Sequence, residues 1–334
     1  MTIEQLWREM EQDAEAGAGA AWLTRFAQPQ SGTPLLAGLE TTTRTRALLL
    51  SATPQMLPPR SEWPECRGLE LQSILLGTEP YLAVRLRDSA SRDVFAVLGE
   101  SVIAAVGDTQ ERVAVGRLMN SLHRWRQFLA VASEGLSLEA QRGLWGELHF
   151  LSAQLVPALG PAAAVDSWKG GAAAHQDFQF ATASIEVKTT TAKQPQSVRI
   201  TSERQLDATG AGTLFLHVIV LDEREVRAPA DSALGQSLPM LILTIRNLVV
   251  ADSRAFGVLQ DQLFSAGWLD VHAHRYEAWR WTVRIEHTFQ VTDEFPRLTE
   301  SDLPAGVGDV NYALSLDACE PFKVAPNMML QALD

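Results

Sequence analysis

Residues 175–190, His-Gln-Asp-Phe-Gln-Phe-Ala-Thr-Ala-Ser-Ile-Glu-Val-Lys-Thr-Thr, constrain this chain more than any other stretch. Two short arms, 177–180 and 185–188, alternate polar and apolar residues, and a side-chain period of two is what a strand imposes. The small polar residues 181–184 between them suit a turn, so the segment predicts a β-hairpin. Pairing Phe180 with Ile185 sets Phe178 opposite Val187, Gln179 opposite Glu186 and Asp177 opposite Lys188. Every apolar side chain then lies on one face. Asp177, Glu186 and Lys188 share the other, and a one-residue slip would undo the sorting.

Two carboxylates brought to one spot repel unless a cation sits between them. Hard divalent ions such as magnesium are bound by one or two carboxylates plus water and phosphate oxygens. A lysine two residues beyond such a carboxylate lies beside it, where it can hold an attacking water and offset charge on a phosphorus-centred transition state. The pattern therefore points to phosphodiester hydrolysis.

Upstream, 137–141 offers a cap and early acidic charge for a helix ending before Pro157. Leu144, Leu148, Leu151 and Leu155 form its buried stripe, and Glu147 borders that stripe. Two readings of Glu147 are open: a border glutamate paired with an arginine, or a carboxylate facing the site. His175 could orient Asp177 or touch substrate, although a lone histidine more often serves as a structural hydrogen-bonding residue. Lys169, in the turn-like stretch 166–171, could meet a phosphate. Downstream, 197–200 reads as a strand, and Ser202 as the cap of a helix starting through 206.

Asp177, an eight-residue gap and Glu186-Val187-Lys188 match the active-site pattern of the PD-(D/E)XK nuclease superfamily, although Gln176 replaces the proline. With Trp-Gly-Glu-Leu-His-Phe-Leu at 145–151, Trp168, His175, 202–206 and Phe-Pro-Arg-Leu at 295–298, the chain resembles the PD-(D/E)XK motif proteins found among prokaryotic phage-defence genes. The resemblance spans about 137–316. It implies an α/β (α+β) fold with a restriction-endonuclease-like core, a mixed central sheet flanked by helices. It implies a magnesium-dependent endonuclease acting on DNA, with manganese as a substitute metal. Asp177 and Glu186 would be ligands, Glu147 would join the metal site from the preceding helix, and Lys188 would position the water. Gln205 is a further family-based candidate, set against a plain surface position. The alternative is a non-catalytic or partner-activated subunit that keeps the fold for DNA binding or assembly. A homodimer and defence-system partner proteins fit either reading.

The remaining composition sets bounds. A net charge of −12 argues against a surface that grips nucleic acid everywhere, although a nuclease can concentrate basic residues near one cleft, use metal ions to offset carboxylates or borrow DNA affinity from a partner subunit. No run of about 18 apolar residues and no signal-like start occurs, which predicts a cytoplasmic protein without membrane spans. Cys66 and Cys319 have no metal-spaced neighbours and read as buried free thiols. The phosphate-binding glycine-lysine loop, the His-Glu-x-x-His motif and the Gly-x-Ser-x-Gly elbow are all missing, which sets aside ATPase, zincin and serine-hydrolase chemistry.

Two domains are expected, a β-rich one over 1–106 and a nuclease-like one with a C-terminal β extension over 107–334. In the first, Ile3, Leu6, Trp7 and Met10 predict a helix, and the apolar runs 47–50, 69–76, 81–86 and 94–98 predict strands. Thr109 would cap a helix running to about 131. In the second, 213–221 reads as a central strand buried on both faces, with His217 in the core. Residues 237–250 and 253–266 read as helices, and 276–291 and 312–316 as strands. Trp279 and Trp281 with Arg280 and Arg284 suit either packing or a nucleic-acid surface, packing being favoured.

Overall fold

The computed structural model describes residues 1–17, 20–27, 32–66, 68–87, 92–129, 135–170, 174–209, 212–227 and 235–333. The expected end of the long helix at 131 and Gly171 lie outside them. The chain forms two compact units, Met1–Gly135 and Leu136–Asp334. No helix among the described residues is long and apolar enough to cross a membrane.

The first unit contains α1 (Ile3–Glu15), five strands β1 (Trp22–Phe26), β2 (Leu35–Glu40), β3 (Thr45–Ser51), β4 (Leu69–Leu76) and β5 (Glu79–Leu86), then α2 (Arg92–Val106) and α3 (Glu111–Leu129). The strands make an antiparallel sheet in the order β1-β2-β3-β5-β4. Thr2 and Gln5 cap α1 reciprocally, and Ile3, Leu6, Trp7 and Met10 are its buried residues. The run 94–98 is helical, not a strand: Val94, Phe95, Leu98, Val102 and Val106 are buried at spacings of one, three, four and four, the period of a helix. Thr109 does not cap α3; its hydroxyl donates back to the Val106 carbonyl at 2.6 Å. The sequence placed α3 in the second domain. It folds back instead beside α2, where Trp125 Nε1 donates to Ser101 Oγ at 3.4 Å, and belongs with the first unit.

The second unit is built on a four-stranded mixed sheet. Its helices are α4 (Leu138–Phe150), α5 (Val156–Leu159), α6 (Pro161–Ser167), α7 (Leu238–Val249), α8 (Ser253–Ser265), α9 (Leu316–Cys319) and α10 (Pro326–Gln331). Its strands are β6 (Phe178–Gln179), β7 (Ala183–Thr190), β8 (Ser197–Ile200), β9 (Thr213–Glu225), β10 (Trp279–Val291) and β11 (Tyr312–Ser315). The central order is β10-β9-β7-β6, with β7 and β9 parallel and the outer pairs antiparallel; β8 and β11 pair separately. Side chains alternate across β9. Phe215, Ile219 and Leu221 join the core beneath α4, α7 and α8, whereas Leu214, Leu216 and Val218 join the core against β8 and β11. Burial on both faces explains the continuous apolar run of this strand.

Pro157 does not end the helix that begins at Ser137. A π-helical turn, Leu151–Leu155, follows α4, and Pro157 then falls at the second position of α5, so the helical path runs past it to Leu159. The stretch 202–206 is a single turn closed by Gln205 N to Ser202 O at 3.2 Å, not a helix start. Trp281 is buried, Arg280 pairs with Glu277 and Arg284 with Asp222, so that region packs.

Candidate active site

The hairpin forms, but in a register two residues away from the expected one. Phe178 pairs with Ile185 and Gln179 with Ser184, and Phe180 N bonds Ala183 O at 2.8 Å, leaving only 181–182 as the turn. A two-residue turn closes the strands more tightly than the four-residue turn expected. A shift of two keeps every side chain on its face, so Phe178, Ile185 and Val187 enter the core beneath α4. Asp177 now continues the register opposite Glu186 rather than Lys188. The two carboxylates are thereby brought closer together than the sequence implied.

Beyond Ser184 and Ile185, no strand among the described residues pairs with β7 on its β6 side. Asp177 Oδ2 accepts from Val187 N on that side at 2.7 Å, which fixes the aspartate beside β7. Lys188 Nζ stands 2.6 Å from Glu186 Oε1. Glu186 is 1% exposed, and apart from this ion-pair contact neither of its oxygens has a hydrogen-bond partner of regular geometry.

Glu147 comes from α4, which lies close on β7 because residue 146 is glycine: a Cβ there would collide with Thr189 Cγ2. Among the described residues no arginine forms an ion pair with Glu147; Trp168 Nε1 donates to its Oε2 at 2.8 Å. The Trp168 backbone bridges Phe178, and its carbonyl accepts from Gln262 Nε2, so the indole is held from both sides. Trp168 was one residue of the family pattern, yet its role was missed. The signal was available, since a buried indole N–H needs an acceptor and Glu147 was the unpaired acid nearby.

The electrostatics of the cluster are those of an incomplete site. Burial, and then the Asp177 charge, push the Glu186 carboxyl up to about 8. Burial and then Asp177 push Glu147 well above the usual carboxylate range, against the pull of the Trp168 hydrogen bond. Burial raises Asp177 too, partly opposed by the Lys188 charge and the Val187 N–H. Burial alone would lower the Lys188 pKa, but Glu186 and then Asp177 outweigh it and the net shift is upward, so an ammonium is retained. Among the described residues no three acidic, histidine or cysteine side chains are already drawn in around one coordination point. The donor set nevertheless fits a hard divalent cation: unsatisfied carboxylate oxygens on Glu186 and mutually repelling acids at Glu147, Asp177 and Glu186.

The second-tier residues are placed differently. His175 is exposed, and its charge is felt by Asp207. Gln205 Oε1 turns back to accept from Thr201 N at 2.9 Å and Thr201 Oγ1 at 3.1 Å. Lys169 Nζ donates to the Asp166 carbonyl at 3.0 Å.

On the α4 side of the sheet lies a second polar cluster. His149 Nε2 stands 3.3 Å and His217 Nε2 3.9 Å from Glu286 Oε1, while Gln154 Nε2 donates to Glu286 Oε2 at 3.1 Å. His217 is fully buried, with Nδ1 3.0 Å from Thr288 Oγ1. The interaction with His149, and then with His217, holds Glu286 well below the usual carboxylate range.

No curated protein and no solved structure matches this chain. A family model does match, over residues 3–317, and it covers the N-terminal unit as well as the 137–316 stretch that carried the resemblance. On that match the chain belongs to the family described as "Putative PD-(D/E)XK family member, (DUF4420)".

Proposed function

We propose that this protein hydrolyses DNA phosphodiester bonds with a divalent metal, magnesium by preference and manganese as a substitute, at Asp177, Glu186, Lys188 and Glu147. One observation carries the reading. Glu186 is buried with neither oxygen regularly hydrogen-bonded, beside a second carboxylate, and Lys188 stands 2.6 Å away. Glu147, Asp177 and Glu186 are three acids raised by burial that share the Lys188 ammonium, and such a cluster is costly unless a further cation offsets it.

Asp177 and Glu186 would hold the metal, with Glu147 assisting directly or through water. When bound, the metal polarises the phosphate and lowers the pKa of water. Lys188, kept as an ammonium, holds the attacking water and offsets charge on the non-bridging phosphate oxygens. The Val187 N–H fixes one Asp177 oxygen and leaves the other for coordination. Trp168 fixes the Glu147 carboxylate in the same way. The resemblance supports a setting in prokaryotic restriction or phage defence, in the cytoplasm, with a homodimer as one route to cutting both strands.

The alternative, a DNA-binding or assembly subunit that awaits a partner, draws on the net charge of −12. Plasmid DNA incubated with purified protein and magnesium or manganese, beside identically prepared Lys188→Ala and Asp177→Ala, separates the two. Metal-dependent nicking or cutting lost in both variants is expected. Cutting unchanged in both would remove these residues from the chemistry, and no cutting by the parent would favour the alternative.

A further inference from the structure

The β6 side of β7 continues past Lys188 into a groove of about 540 Å³. Thr190, Thr191, Ser197, Arg199, Asn311 and Tyr312 supply most of its polar lining, with Arg142 at one side. Val187 turns its N–H outward to Asp177, and strand alternation turns the N–H of Thr189 to the same side. On β8, Val198 and Ile200 are buried while Ser197 and Arg199 are exposed, so the arginine points away from the core. Arg199 makes no ion pair among the described residues, unlike most arginines here. Arg142 reaches Glu223 through Nη1 at 3.4 Å and leaves Nε buried without a partner. Thr189 and Thr190, the two residues that follow Lys188 on β7, line the groove, so it adjoins the candidate centre.

We propose that this groove seats the sugar-phosphate backbone of a DNA strand and leads it past Asp177, Glu186 and Lys188, with Arg199 as its principal phosphate contact. This rests on the nuclease reading of that centre. The lining chemistry is the set that binds DNA backbones: guanidinium, hydroxyl, amide and an outward backbone N–H, which position a duplex without reading its sequence. A small apolar ligand is disfavoured, since among the described residues the apolar lining is Ala192, Val198 and Ala313. Among the described residues Glu139 is the one acidic lining residue, at an exposed position. In a chain of charge −12, an arginine without an ion pair among the described residues, in a hydroxyl-rich groove beside the site, supplies local attraction for phosphate.

The test uses the full chain carrying Lys188→Ala, so that binding is measured without cutting. Anisotropy of a short fluorescent DNA duplex is followed across a series of salt concentrations. Adding Arg199→Gln is expected to weaken binding about tenfold and to reduce the salt slope by about 1. Thr191→Val should weaken it a few-fold with the slope kept, and Arg8→Gln, in the first unit, should change neither. In the cutting-competent chain, Arg199→Gln should raise KM with kcat within about twofold, the mark of lost uniform binding. Affinity and slope unchanged in Arg199→Gln would overturn the groove, and so would a parent that binds no DNA. Tighter binding of an RNA duplex would overturn the DNA assignment. If the wild-type chain fails to cut yet its binding depends on Arg199, the groove stands and the nuclease reading falls.

Discussion

Glu186 and Glu286 stand on opposite faces of one sheet, with β9 between their strands, and their carboxylates are in opposite electrostatic conditions. Glu186 faces another acid, with the Lys188 ammonium 2.6 Å away, and burial and then the Asp177 charge push it up to about 8. Glu286 is set between two imidazoles and an amide and is held well below its usual range. The difference is one of partners. A carboxylate set among neighbours that favour its charge braces the fold, whereas one buried beside like charges with a single ammonium costs stability until a further cation arrives.

The largest effect that would break this contrast is on activity. Glu186→Gln keeps the volume but removes the anion, and metal-dependent cutting should fall by about 10²-fold or more. Glu286→Gln should leave the cutting rate within about threefold, and equal losses in a cleavage assay would erase the distinction. Stability should respond the other way. Glu286→Ala strands His149, His217 and Gln154 and should cost about 1–3 kcal/mol by urea unfolding.

The pH dependence sharpens the comparison. The raised Glu186 contributes stability that is present below its unfolded pKa and is lost as pH rises through about 8. The depressed Glu286 contributes stability that is present above its unfolded pKa and is lost as pH falls toward its folded value. In metal-free protein, Glu186→Gln should therefore gain on the wild type as pH rises from about 5 to about 8, by roughly 1–3 kcal/mol, then level off. Glu286→Gln should lose most at neutral pH and recover toward acid. Parallel curves for the two variants would sink the contrast. The smallest expected effect belongs to Trp168→Phe, which removes only the N–H held by Glu147: about 1 kcal/mol of stability and a few-fold in cutting, read by melting and initial rates.

The hairpin shows how far local pattern carries. Alternation decides which face a side chain takes, so the shared face of Asp177, Glu186 and Lys188 was legible. It cannot distinguish registers two residues apart, because both sort the faces equally well, and the turn length settled the matter. The run 94–98 was misread for a related reason: five apolar residues fit either period until the burial of Val102 and Val106 is known. The Ser202 turn had a cap but too little helix behind it to stand alone.

The order of polar and apolar residues along 175–190, the leucine stripe of α4 and the β-branched run of β9 were enough to determine a two-faced sheet with acids on one side, because each is a local consequence of strand or helix geometry. Only the tertiary structure decided that Gly146 lets α4 close on β7, that Trp168 holds Glu147, that His149, His217 and Glu286 meet, and that Arg199 lines a groove beside Lys188. Those arrangements join residues from separate elements, and the packing of one element on another sets them.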